Sequence, residues 1–286
     1  MKTSNIYILF LVFILTSCGA SKMTTSKGDL LLASGDYAGA LAFYKEKMAS
    51  LSPDDRSLYR NMAIANSKLG NHAEACRLAA YVPTSGDSLL LNSLATSLLQ
   101  ENRQHEVIPL IEENRNIFLN SWGADSVNVH LAKYYTSIND SRIVEVYPLL
   151  NSPAAQAECL ECYIKKADLP TAEIKKNCEQ VLSFDSSHVV AIRLLATAYY
   201  DEAESGYNSS MAQYNKKKNT ATYAKLVKEL KALTPTYIKC KDRLEKLRTM
   251  GVAEANDLKR LVNVYNRLNQ EEKAKAVERQ IKKLKK

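Results

Sequence analysis

Glycine and proline are scarce, 9 and 7 in 286 residues. So few turn-formers leave little room for long loops. Leu, Ala, Lys and Glu dominate and β-branched runs are short, which favours helix over strand. Tryptophan occurs once, at Trp122. The four histidines, His72, His105, His130 and His188, are scattered, and none sits in HExxH or beside a nucleophile motif. GxSxG, GxxxxGK and GxGxxG are all missing, so no nucleophile elbow, phosphate cradle or dinucleotide loop is marked. These absences predict a protein that is not an enzyme, with no catalytic residue, no cofactor and no metal site. After residue 18 no apolar run is long enough to be read as a membrane span.

The one long apolar run lies at the start. Lys2 precedes Ile6 to Leu15, ten apolar or aromatic residues in a row. As a helix they rise only ~15 Å, short of a hydrocarbon core of ~30 Å. A basic start before a short apolar stretch is the signal-peptide pattern, over residues 1–17. The tetrad Leu15-Thr16-Ser17-Cys18 resembles a bacterial lipobox. That resemblance implies cleavage before Cys18, lipidation of its thiol and acylation of the new amine. Several acyl chains give a stable anchor where one is marginal. Residues 18–27 are small and polar and read as a flexible tether of at most roughly 30 Å. Gly19 is not the aspartate of an inner-membrane retention signal, and no acidic export cluster follows. The implied address is the outer membrane of a Gram-negative cell, facing the periplasm.

Charge is unevenly placed. Residues 216–286 hold 21 Lys and Arg against 8 Asp and Glu, and residues 1–215 hold 18 against 23. A basic half can mean nucleic acid, but an exported lipoprotein has none to meet, so no nucleic-acid partner is expected. Anionic lipid, an acidic glycan, an acidic protein face or a merely solvated Lys-rich surface all fit.

The chain repeats itself. Gly35 and Gly70, Asp36 and Asn71, Tyr37 and His72, and Ala40 and Ala75 are all 35 residues apart, as are Gly28 and Ala63. Each glycine can take the left-handed conformation that ends a helix. Asp36 and Asn71 can cap the next helix, and the alanines let two helices press together. Pro53 suits a first helical position. This pattern resembles the tetratricopeptide repeat, a two-helix unit of ~34 residues. The expected fold is all-α, an antiparallel helix-hairpin solenoid. Looser hairpins follow around residues 100–104, Asn139-Asp140 and Asp168-Leu169-Pro170, without the glycine. A long helix from His188 past Tyr214 returns as Tyr223 to Leu247 with a kink at Pro235. A final hairpin turns at Asn269-Gln270, with Ala274 at the small-residue position. The domain division read this way is 28–187 for the repeats and 188–286 for the basic C-terminal part.

Five cysteines remain after Cys18. Cys159 and Cys162 form CxxC, open to a redox or zinc reading, but the surrounding residues look helical throughout. A disulfide between Cys162 and Cys178 would staple two helices; simple packing of the thiols is the other reading. Tyr200, Tyr207 and Tyr214 form a stripe with Ala196 and Ala203, either core or partner surface. The lysines and asparagines that clamp a peptide carboxylate in some tetratricopeptide proteins are unmatched, with Thr25 and Asp29 at the first-repeat positions. Arg60, Ile64 and Lys68 would line the groove of the second repeat. Asp87-Ser88-Leu89 and Asp125-Ser126-Val127 resemble a short exported O-glycosylation acceptor. The function implied is a lipid-anchored periplasmic scaffold or adaptor for other envelope proteins. The alternatives are a glycan- or ligand-binding outer-membrane lipoprotein and a CxxC redox or metal protein.

Overall fold

The computed structural model describes residues 26–48 and 55–284. The signal peptide, Cys18, Thr25 and Pro53 lie outside the described residues. Every regular element described is helical. The chain divides at 117/118 into two compact units.

The first unit holds three hairpins. They are α1 (Lys27–Ala33) with α2 (Tyr37–Met48), α3 (Arg56–Lys68) with α4 (His72–Ala79), and α5 (Ser88–Gln100) with α6 (Gln104–Glu113). Helix α1 starts earlier than the tether reading allows. Ser26 caps it, with Ser26 and Asp29 each bonding the other's backbone N–H, so Ser26 and Lys27 belong to the fold. Helix α3 opens behind Asp55, whose carboxylate accepts from Ser57 N and Leu58 N, three residues after Pro53. Ala40 and Ala75, the repeated small residues, are both buried. Gly28 is small for a specific reason: a Cβ there would stand 2.5 Å from the Tyr44 ring.

The second unit begins within α7 (Arg115–Trp122). It continues through α8 (Ala124–Ser137), α9 (Ile143–Val146) with a 3₁₀ turn at Tyr147–Leu149, α10 (Pro153–Ala167) and α11 (Thr171–Phe184). Then come the long α12 (Val189–Lys216) and α13 (Thr220–Thr249), and last α14 (Ala255–Arg267) and α15 (Glu271–Leu284). Pro235 sits inside α13, which runs unbroken for 30 residues. Ala274 is buried in the last hairpin.

One corner geometry recurs in both units. Gly35 and Gly70 have φ of 84° and 80°. The residue after each donates back five positions, Asp36 N to Leu31 O and Asn71 N to Asn66 O, both at 2.9 Å. This is the Schellman close, which satisfies carbonyls that a helix end leaves open. The same close appears at Asn102, Asn139, Gly251 and Asn269, where positive φ is again seen. The hairpins at Asn102, Asn139 and Asn269 are therefore built on the same plan, with asparagine in the left-handed position, which it tolerates better than most side chains. The hairpin at Asp168 (φ 46°) is followed by Leu169-Pro170 and does not make this close. One capping expectation needs correcting. Asp36 does cap α2, accepting from Gly39 N at 2.9 Å. Asn71 makes no side-chain cap and donates instead to Asn66 Oδ1 at 3.2 Å.

Candidate functional site

In the first unit α1, α3 and α5 present one side to an open cavity of about 410 Å³. Its apolar lining is Leu32, Ala33, Tyr37, Ile64 and Leu89. Arg60, Ile64 and Lys68 lie on successive turns of α3 and all line it. They do not play equal parts. Ile64 is floor, only 4% exposed. Arg60 is committed: its guanidinium grips Asp87, with Nη2 to Oδ1 at 3.0 Å, and Nη1 donates to Asn61 Oδ1 at 2.7 Å. Lys68 is exposed and has no ion-pair partner among the described residues.

The polar side of the groove is one connected chain. Asp29 accepts from Tyr44 Oη and from Asn61 Nδ2, both at 2.8 Å; Asn61 meets Arg60, and Arg60 meets Asp87. Four helices are linked this way. Burial raises the Asp29 carboxyl, but hydrogen bonds from Tyr44 and Ser26 and the charge of Arg60 outweigh it and hold the group below its ordinary value. Burial likewise raises Asp87, and the Arg60 bond overcomes it. Burial and then Asp29 push the Tyr44 hydroxyl up. Asp87 also caps α5 by accepting from Leu90 N at 3.1 Å. The Asp87-Ser88-Leu89 motif thus serves a helix start, and Asp125 of the other motif accepts from Asn151 N at 3.1 Å.

In the second unit the tyrosine stripe divides. Tyr200 Oη accepts from Asn263 Nδ2 at 2.6 Å, and the Arg267 guanidinium lies 3.4 Å over the Tyr207 ring. Both tyrosines are half-buried and spent on packing against α14. They belong to a ladder between α12 and α14: Arg193 to Asp257 at 3.0 Å, Thr197 to Arg260 at 3.1 Å, Tyr200 to Asn263, and Glu204 to Arg267 at 2.9 and 3.0 Å. The rungs recur at one per turn because both helices run the same way. Tyr214 lies beyond them, its ring 6.0 Å from Tyr223.

The cysteines are free and buried: Cys76, Cys159, Cys162, Cys178 and Cys240. The expected bridge from Cys162 to Cys178 is not formed. Cys162 Sγ instead faces Asn139 Oδ1 at 3.9 Å, toward the corner after α8 and not toward α11. Cys159 and Cys162 sit within α10, without the helix start that a redox CxxC uses. Burial raises the Cys159 thiol and pushes Cys178 up to about 12, the opposite of what a reactive thiolate needs. His188 is a helix cap, its Nδ1 accepting from Ala191 N at 3.2 Å. Among the described residues no group of three or more His, Cys, Asp or Glu could hold a metal ion, and no helix is long and apolar enough to cross a membrane.

No family model matches the chain, and no curated protein is similar to it. Similar solved structures include the following two. The C-terminal part of a TPR repeat-containing protein from Cytophaga hutchinsonii is 13% identical, with 83% of this chain aligned over 93% of that one and a TM-score of 0.37. A human IFIT1 dimer with m7Gppp-AAAA is 17% identical, over 87% of this chain and 68% of that one, with a TM-score of 0.27. The hairpins, small-residue contacts and Schellman corners described above define an all-α, tetratricopeptide-like repeat protein.

Proposed function

We propose that this chain is a lipid-anchored periplasmic scaffold or adaptor, held to the outer membrane through Cys18, and that it acts by binding another envelope protein. It does no chemistry of its own. The observation that carries the reading is the groove of the first unit. Its floor is apolar, its half-buried charges Arg60 and Asp87 pair with one another, and Lys68 stands at its edge with no ion-pair partner among the described residues. A preformed apolar trough with one uncommitted cation suits an apolar segment of a protein partner that carries a carboxylate. The lipobox-like tetrad and the apolar run before it support the anchor and the address.

The test is a photo-crosslinking residue in place of Leu89, with the full chain expressed in its own envelope. A discrete protein adduct is expected, weakened by Lys68→Glu and unaffected by the same change at Lys259 on the other unit. Absence of any protein adduct would overturn the binding role. Labelling with a fatty-acid analogue, lost in Cys18→Ser, tests the anchor separately.

A further inference from the structure

Helices α12 and α13 outrun everything packed on them. Their register is set by Ala196 with Cys240 (Sγ to the carbonyl at 3.4 Å), Glu204 with Tyr237, Gln213 with Lys225, and Tyr214 beside Tyr223. On one side α11 runs antiparallel to α12, Glu179 meeting Tyr199 and Lys175 meeting Glu202, so its start at Thr171 lies level with the turn after Glu204. On the other side α14 ends at Arg267, level with Glu204 and Tyr207. Residues 208–234 therefore form a two-helix arm. Within it only Ser210 and Leu226 are buried. Its α12 side, nine residues to Lys216, rises ~14 Å.

The arm has a one-sided composition. Residues 208–234 carry six lysines, Lys216, Lys217, Lys218, Lys225, Lys228 and Lys231, against a single acid, Glu229. Only Lys225 is ion-paired among them, to Glu229. Three lysines stand together at the tip, and beside them Tyr223 and Val227 are 56% and 48% exposed. The arm holds no arginine, whereas the ladder below it uses Arg193, Arg260 and Arg267. Arginine is the residue of directional, bidentate recognition. Lysine is a hydrated point charge on a flexible stem, suited to a diffuse anionic surface onto which it can snorkel. Tyrosine beside lysine is the pairing that settles at a membrane–water interface.

We infer that the arm docks, tip first, on an anionic phospholipid surface, with the tip lysines among the headgroups and Tyr223 and Val227 at the boundary below them. This contact is independent of the groove and of the Cys18 anchor. It orients the second unit on a bilayer without spanning it.

The test uses the full chain reconstituted in vesicles of phosphatidylcholine alone or mixed with phosphatidylglycerol, read by amide hydrogen exchange. A thin two-helix arm opens locally and exchanges fast. In the mixed vesicles exchange over residues 208–234 is expected to slow about tenfold or more, while residues 255–267 in the same sample stay unchanged. Lys216→Glu, Lys217→Glu and Lys218→Glu together abolish the slowing. Lys228→Gln with Lys231→Gln, on the helical wall, reduces it. Equal exchange in both vesicle types overturns the inference. So does slowing that appears only when polyglutamate is added to phosphatidylcholine vesicles, which would make the partner an acidic polypeptide.

Discussion

Arg193 and Asp257, 64 positions apart, meet at 3.0 Å with the carboxylate only 2% exposed. Asp257 also accepts from the Glu254 amide at 3.0 Å and so starts α14. One buried side chain thus fixes a helix start and ties it to a helix two elements earlier. Arg193→Ala leaves that carboxylate short of its counter-charge. The expected loss is about 2–4 kcal/mol of unfolding free energy, read from urea melts at neutral pH. A loss within error would mean that the ladder does not hold the second unit together.

The corners make an asymmetric prediction. Gly70→Ala puts a Cβ on a residue at φ 80° and should cost about 1–2 kcal/mol. Asn102→Gly, at φ 57° in the same Schellman position, should be neutral or stabilising by a few tenths to about 1 kcal/mol. Paired denaturation curves check both. If the two changes behave alike, positive φ is not what those positions select for.

These corners also show what sequence could and could not reveal. The 35-residue register of Gly35 and Gly70 was readable because glycine is rare here and marks a bend by itself. Asn102, Asn139 and Asn269 perform the same task, but asparagine also suits caps and plain turns, so its meaning depends on backbone geometry. Arg60, Ile64 and Lys68 were read as a groove line through the resemblance to the tetratricopeptide repeat. That Arg60 is committed to Asp87, 27 positions away, was not, since a long-range pair leaves no local pattern. The ladder from Arg193 to Arg267 was missed for the same reason. A constant offset near 63 between polar residues of α12 and α14 is the signal that could have found it. The Cys162–Cys178 bridge failed because levels along a hairpin do not fix which way a helix face turns.

Gly28→Ala tests the close approach of α1 and α2. Alanine favours helix by about 1 kcal/mol, but its Cβ would meet Tyr44 and Phe43 at 2.5 and 2.6 Å. Overpacking should win, with a net loss of about 1–2 kcal/mol. Tyr44 would also leave Asp29, visible as an altered tyrosine absorbance spectrum.

All five described thiols should be silent toward a thiol reagent in the native protein at neutral pH, and all should react in urea. Mass spectrometry of protein alkylated without reductant should find none of the five in a disulfide. Rapid native labelling of Cys159 or Cys162 would contradict their burial in α10.

His130 packs against Trp122, ring centroids 5.4 Å apart, and burial, then Lys133, lowers its pKa. The unfolded chain binds the proton more readily than the native one. The neutral ring's contribution is therefore complete above the ordinary histidine value of about 6.5 and declines as pH falls through the native value. Urea midpoints should drop on acidification in the wild type, and less steeply in His130→Gln.

The rungs between α12 and α14 all lie below Tyr207, and residues 208–234 extend past the last of them. One extra residue near Arg193 would turn every later rung by about 100° and scramble the match. Two added turns on each side of Lys217, by contrast, would leave each rung where it is. Length in this protein is thus free to change in one direction only, outward from the lysine tip, and the distance from the body to whatever the tip meets can be reset without refolding the rest.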